Sequence, residues 1–462
     1  FIVNMFKSLR LSLLILVPAL MSACDNDENI SDLDNSSEAC ELQLKETTMN
    51  LTPGETKKIP LTAKAASETY FKVYNWQKDI YQLTVTCDNP EIIKIDDGFV
   101  ESLGPLGETV VTITPKKGES VKFSVVVDDL SYRKVYNINK PLTADNIFLA
   151  HVCTNKWIQS FEFNSRGDVY VLSTVKNDPW LSVFRYTRNG EKTGEMRLAY
   201  ASHATTCSLE ETPDGDYIWL PTYGTKNSSN EYKRDQLFSR VKFEDGKEWL
   251  PDDPELQLNS YYLGDYDNLL PSIDFKNGHI GIRYMDLDDN HWVAVYDLKE
   301  IADSPINRIT LKQSIKRGGE STGPIKGEEI VNNMSFNAHD CSAVKPLYRF
   351  RFNTKDALGN SVVSGAGHAL QGFCIDDGYA YITYGFPVNF DGGYSVYDYS
   401  GKQVVIRQRF PFLLDRENLR KLKIADTKFE PEGVRVKNGR MYLGAGVHLN
   451  NEALETILIL PN

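Results

Sequence analysis

From Trp157 to the C-terminus, apolar and polar positions alternate in short runs. Each run closes on a Gly, Asn or Asp turn and is followed by an aromatic-rich run. Alternation with a period of two is a strand signature, because successive side chains of a strand point to opposite faces. The paired runs recur five times: Ile158–Phe163 with Asp168–Leu172, His203–Leu209 with Asp216–Leu220, Leu270–Phe275 with His279–Tyr284, His368–Ile375 with Tyr379–Ile382, and Phe429–Val436 with Arg440–Leu443. With Gln159, Thr206, Pro271, Gln371 and Glu432 taken as equivalent, the spacings are 47, 65, 100 and 61 residues.

A strand-built repeat of this size predicts a five-bladed β-propeller, with the first strand of each copy around one central channel. Copy one extends to four strands through Leu181–Thr187 and Glu195–Tyr200, joined at Arg188-Asn-Gly190, a hairpin sequence. Copy two continues through Gln236–Phe243 and Leu256–Leu263, copy three through Trp292–Leu298 and Arg308–Gln313, and copy four through Gly393–Tyr399 and Val404–Phe410. Copy five has one further run, Glu455–Leu460, so a strand from elsewhere has to complete it; the run near 133–138 is the expected ring-closing strand. Closure removes the sheet edges an open array would expose. Residues 316–365 form an insertion with a possible extra strand at Leu347–Phe352, and Pro411–Asp426 has the leucine spacing of a short amphipathic helix.

Upstream, residues 41–130 read as short alternating strands between turns such as Leu51-Thr-Pro-Gly-Glu55, Asp88-Asn-Pro90 and Lys116-Lys-Gly118, which predicts a small β-sandwich. Pro53-Gly-Glu55, Asn89-Pro-Glu-Ile92 and Leu103-Gly-Pro-Leu-Gly107 together resemble the bacterial Ig-like domains of surface proteins. That resemblance implies a spacer or adhesive arm. The fold class expected for the whole is therefore all-β: a small Ig-like β-sandwich (41–130) followed by a five-bladed β-propeller (131–462).

The first 23 residues read as targeting rather than fold. Lys7 and Arg10 precede the apolar Leu11–Leu20, and Met21-Ser-Ala-Cys24 places small residues ahead of a cysteine. This resembles a lipoprotein signal with Cys24 as the lipidated residue. The acidic Asp25-Asn-Asp-Glu28 resembles the export tag of surface lipoproteins in Bacteroides-like bacteria. Residues 24–40 are polar and read as a flexible tether. The expected location is the outer membrane, lipid-anchored and facing outward, with the lipid as the only membrane contact.

A net charge of −12 argues against nucleic acid, which recruits clustered Lys and Arg, and suits neutral or cationic ligands. Of seven cysteines, six remain beside Cys24, and 15 pairings are open to them; Cys207 and Cys374, inside repeat copies, also read as buried thiols. No C-x-x-C pair suggests structural zinc, and no Walker loop, G-x-S-x-G or H-E-x-x-H occurs.

The C-terminal region resembles the propeller shared by teichoic-acid-associated proteins, some phage receptor-binding proteins and helveticin-type bacteriocins. The carriers are Ile158-Gln-Ser-Phe161, His203-Ala-Thr-Thr206, His368-Ala-Leu-Gln-Gly-Phe373, Phe429-Glu-Pro-Glu-Gly433 and Met441-Tyr-Leu-Gly-Ala-Gly446. The resemblance implies an envelope-polymer binder or a cell-killing protein. Read from the residues, Gln159, Thr206, Gln371 and Glu432 share one inner-strand position, where amides and carboxylates suit sugar hydroxyls. His203 and His368 lie three residues earlier, near one rim. Glu430 and Glu432 flank Pro431 and, with other oxygens, offer a possible Ca²⁺ site. Tyr223 and Tyr384, each before a glycine, are candidate stacking platforms for sugar rings. The expected function is glycan or envelope-polymer binding without catalysis. The alternatives are a propeller hydrolase or lyase acting on glycan or lactone, using Glu432 and His368, and a bacteriocin-like antagonist.

Overall fold

A computed structural model describes residues 40–460 except 60, 65–70, 73–82, 129–140, 151–156, 175–178, 202, 227–231, 234, 287, 289, 312–334, 360, 362–369, 386–391, 438 and 451. Cys24, His368 and the run at 133–138 lie outside the described residues. The chain divides into two compact units, Phe1–Val127 and Asp128–Asn462. Almost all regular structure is β.

The first unit is three small sheets around one core. Thr48–Leu51 runs parallel to Val121–Val127, which pairs antiparallel with Gly107–Thr114, and that strand pairs with Thr84–Cys87. Glu41–Leu44, Leu61–Lys64 and Phe71–Lys72 form a second sheet, and Thr56–Lys58, Phe99–Ser102 and Ile93–Asp96 a third. The alternation of Thr109–Thr114 explains its place: Val111 and Ile113 are buried, while Thr112 and Thr114 stay partly exposed. They meet Leu61, Ile93, Phe123 and Val125. Each such apolar side chain taken from water stabilises the unit by about 1.5–3 kcal/mol before entropy is counted.

The second unit contains, among the described residues, five sheets of four or more strands. The first consists of Trp157–Phe163, Val169–Thr174, Trp180–Tyr186 and Lys192–Ala199, extended by Glu248–Trp249. The second begins Ser208–Thr212, Gly215–Thr222, Leu237–Lys242 and Ser260–Tyr262. The third is Asp267–Asp274, His279–Met285, His291–Asp297 and Tyr348–Arg351; the fourth is Leu370–Asp376, Tyr379–Tyr384, Gly393–Asp398 and Gln403–Arg409. The fifth is Lys428–Lys437, Arg440–Leu449 and Glu452–Ile459, completed by Ile147–Ala150 from the start of the unit. The first-named strands touch one another in order around a circuit, the fifth returning to the first.

The edge place in the fifth sheet expected for the run at 133–138 is taken by Ile147–Ala150, and two further strand assignments differ from the sequence pattern. The strand expected at Arg308–Gln313 as the outer strand of copy three is observed as Ile306–Thr310, which pairs instead with Ser335–Asp340, and this antiparallel pair extends the second sheet. The outer strand of the third sheet is Tyr348–Arg351, from within the 316–365 insertion. In copy two the run at 256–263 divides into a helical turn, Pro254–Leu258, and a short strand, Ser260–Tyr262; Pro254 at the first helical turn needs no N–H partner there. Pro411–Asp426 contains a 3₁₀ turn, Pro411–Leu414, and a helix, Arg416–Lys421, capped by Asp415 accepting from the Asn418 backbone N–H. Leu413 and Leu419 face the core, and Leu414 is exposed.

The inner strands share an irregularity that alternation alone does not reveal. Each of four carries one extra residue against its partner strand: at Gln159 in the first sheet, Asn268–Leu269 in the third, Gln371–Gly372 in the fourth and Glu432–Gly433 in the fifth. Such β-bulges bend a strand and re-aim side chains. Two of the glycines serve close approach. A Cβ on Gly372 would stand 2.4 Å from the Glu432 carbonyl oxygen, and one on Gly433 would stand 2.8 Å from Ser160 Cα. The fourth, fifth and first sheets therefore meet backbone to backbone at their bulges.

Candidate functional site

The inner strands have two ends. At one, each turns in a hairpin into its own second strand; at the other lie the bulges. The bulged end gathers most of the residues singled out from sequence. Gln159 is buried, and its Nε2 donates to the Ile158 carbonyl at 3.0 Å, while Oε1 has no hydrogen-bond partner among the described residues. Gln371 Nε2 donates to Glu430 Oε1 at 3.0 Å and to the Gly385 carbonyl at 3.3 Å. Glu430 is half-buried and Glu432 is buried, with the Glu432 carbonyl accepting from Thr383 Oγ1 at 3.0 Å. Thus Gln159, Gln371, Glu430 and Glu432 belong to three consecutive sheets and meet near one end of the circuit.

The other candidates have structural partners. Thr206 is buried, and its hydroxyl is 2.8 Å from the Phe373 carbonyl and 3.2 Å from that of Pro271, which ties the second sheet to the fourth and third. His203 is half-buried just ahead of Ala204, whose carbonyl accepts from Ser160 Oγ at 2.7 Å. Tyr223 is buried, stacks on Phe336 with centroids 5.0 Å apart, and donates to the Pro251 carbonyl. Tyr384 is buried as well, with its hydroxyl against Gly393. Tyr223 is thus packed into the core, while Tyr384 lines a cleft between the third and fourth sheets. Among the described residues, no group of three or more His, Cys, Asp and Glu side chains is placed to hold a metal ion. Cys207 and Cys374 are buried free thiols, pushed up to about 11 and about 12 by burial.

Three charged side chains at the centre were not singled out from sequence. Arg435, on the fifth inner strand, is 4% exposed. Its Nε stands 3.1 Å from Glu162 Oε2 as an ion pair without hydrogen-bond alignment, and Nη1 donates to Ser272 Oγ at 3.1 Å. Lys437 Nζ adds a second ion pair to Glu162 at 2.8 Å. These groups link the first, third and fifth sheets, so at their level the axis is filled by side chains. The sequence signal is an arginine between two apolar residues, Val434 and Val436, in a strand that is otherwise core.

Arg283 carries the same signal inside Ile280-Gly-Ile-Arg-Tyr284. It is 7% exposed and pairs across the sheet with Leu270 and Val293. Residues opposite one another in antiparallel strands share a face, so its stem lies among the apolar side chains between the third and fourth sheets, with Phe352, Phe373 and Leu370. Burial pushes its guanidinium down to about 10, and among the described residues no carboxylate opposes that shift. Beside Leu370 and Phe352 opens a narrow cleft, also lined by Tyr384, Ser395, Gln403 and Arg407. Arg407 sits in an irregular stretch of strand with φ of 43°.

No family model and no curated protein matches the chain. Solved structures do. A protein of unknown function from Bacteroides caccae is 13% identical, over 65% of this chain and 77% of that one, with a TM-score of 0.26. A GH43_1 enzyme from Xanthomonas citri is 11% identical over 68% of this chain and 91% of that one, with a TM-score of 0.32. A glycoside hydrolase, so described provisionally, from Bacteroides ovatus is 11% identical over 72% and 96%, also at 0.32.

Proposed function

We propose that the second unit is a five-bladed β-propeller that binds a glycan at the bulged end of its inner strands. The observation that carries this reading is the Gln159 amide. Among the described residues its oxygen is buried without a donor, in a bulge that lies near the Glu432–Gly433 and Gln371–Gly372 bulges of the neighbouring sheets. A buried acceptor left without a hydrogen bond is uncommon in folded proteins and costs about 1–3 kcal/mol, so its retention calls for a reason. A sugar hydroxyl donating to Gln159 supplies one, and the adjacent Gln371–Glu430 pair offers further donors and acceptors. In the same proposal the first unit is a bacterial Ig-like arm, and Cys24 anchors the chain by lipid to the outer face of the outer membrane.

The test is a glycan array probed with the full chain, followed by titration of the best hit. Gln159→Ala should weaken binding about three- to tenfold, the worth of one neutral hydrogen bond, while leaving the thermal midpoint within a few degrees. Unchanged affinity overturns this placement of the site. Turnover of the hit, lost in Glu432→Gln with binding retained, replaces the binding reading with that of a hydrolase or lyase.

A further inference from the structure

Arg283 stands apart at the bulged end in one respect: among the described residues, it is a buried cation without an anion. Its one hydrogen bond among the described residues is a long one, from Nη1 to the Gln371 carbonyl at 3.4 Å. A guanidinium has five N–H donors in a planar fork and stays protonated at physiological pH. Most of that fork therefore has no acceptor of matching charge. The apolar walls, Leu270, Val293, Phe352 and Phe373, do not replace the water that a charge in solution would keep. Proteins that bury an arginine for stability alone supply a counter-charge, as this one does for Arg435 with Glu162.

The position also matters. The carbonyl that Arg283 reaches belongs to Gln371, the bulge residue whose side chain joins Glu430. Leu370, next to it, lines the cleft between the third and fourth sheets, and Arg407 lines the same cleft. Arg407 adopts a left-handed φ of 43°, a conformation that costs energy for a residue other than glycine and that collects at binding sites. Arg407 thus lines an opening beside the Gln371 bulge, and Arg283 reaches the backbone of that same bulge from the third sheet.

We infer that Arg283 is the recognition point for an oxyanion carried on the ligand, a uronate carboxylate or a sugar sulfate. This rests on the glycan reading above and narrows it to acidic saccharides. The fork geometry fits a planar carboxylate with two parallel N–H···O bonds and takes two oxygens of a sulfate equally well. The chain's net charge of −12 repels such a ligand at a distance. That repulsion is screened beyond about 8 Å at physiological ionic strength, whereas the contact at a desolvated guanidinium is not. Discrimination then comes from the buried site rather than from the surface field.

The experiment titrates the full chain with three oligosaccharides of equal length: an oligogalacturonate, a sulfated galactan and a neutral galactan. The uronate or the sulfate ligand should bind at least tenfold more tightly than the neutral one, and which of the two wins identifies the oxyanion. Arg283→Met should weaken the acidic ligand about a hundredfold, leave the neutral one within about threefold, and melt at the wild-type temperature or above, because it removes a charge that lacks a partner. Arg283→Lys keeps the charge and loses the fork, so it should fall between wild type and Arg283→Met. Equal affinity for acidic and neutral ligands overturns the inference, as does an Arg283→Met protein that melts well below wild type, which would mark the arginine as structural. In either case Gln159→Ala still weakens neutral-glycan binding if the broader reading holds. Failure of all three saccharides and of the array removes the glycan reading itself.

Discussion

The two buried arginines of the second unit occupy regions that solve the same electrostatic problem differently. At the axis, Arg435 has Glu162 beside it, Ser272 as an acceptor and Lys437 on the far side of the same carboxylate. At the seam of the third and fourth sheets, Arg283 has one carbonyl oxygen. Both are more than nine-tenths buried. The difference shows that burial alone does not distinguish a structural charge from one held ready for a ligand. What separates them is whether the surrounding sheets bring an acid to meet the base.

The largest effect should come from removing the acid that the axis depends on. Glu162→Ala leaves Arg435 buried without its counter-charge and should destabilise the unit by about 3–5 kcal/mol, measured by urea denaturation. A loss under about 1 kcal/mol would erase the contrast with Arg283. A second substitution asks whether the axis is as closely packed as the ion pairs require. Gly372→Ala puts a methyl group 2.4 Å from the Glu432 carbonyl oxygen, and backbone atoms on both sides have to move. Overpacking of this kind should cost about 1–3 kcal/mol. Gly439→Ala, where nothing lies within 4 Å and only the φ of +71° is unfavourable, should cost less, about 1–2 kcal/mol.

The smallest effect concerns a half-buried charge with like-charged neighbours. Asp376, at the hairpin end of the fourth inner strand, is pushed up to about 6 by burial first, then by repulsion from Asp274 and Asp377. The ordinary value is 3.8, so the folded chain holds this proton more tightly than the unfolded chain does. The sign follows: the stabilising contribution is present below about pH 4 and is lost as pH rises through about 6. Asp376→Asn should therefore raise stability at pH 7 by about 1–2 kcal/mol, allowing for solvent screening of a partly exposed group, and change little at pH 4. Melting curves at the two pH values check it; a gain at pH 4 equal to that at pH 7 would assign the effect to packing instead.

Strand positions are local, and the sequence determined most of them. The alternation of Thr109–Thr114, the Asn189-Gly190 turn and the paired runs of all five copies follow from the two-residue period and from turn chemistry. The helix near Leu419 was legible from its leucine spacing in the same way. Gln159, Gln371 and Glu432 were visible as equivalent positions, although the bulges themselves were not, because an extra residue shows only against a partner strand.

Sheet membership was decided by the tertiary structure. Ile306–Thr310 and Tyr348–Arg351 are both acceptable outer strands for the third sheet by pattern, and only the competition for free edges sends the first to the second sheet. The strand completing the fifth sheet comes from Ile147–Ala150, a pairing across roughly the whole unit, which alternation cannot specify. The burial of Tyr223 and Tyr384 likewise depends on Phe336 and Gly393, distant or turned-back neighbours. The unlike surroundings of Arg283 and Arg435 are the sharpest case. Each is an arginine in an apolar strand, and sequence marks both. Whether a carboxylate stands beside it depends on which strand of another sheet packs against it, since electrostatic interaction depends on distance in space and not on separation along the chain.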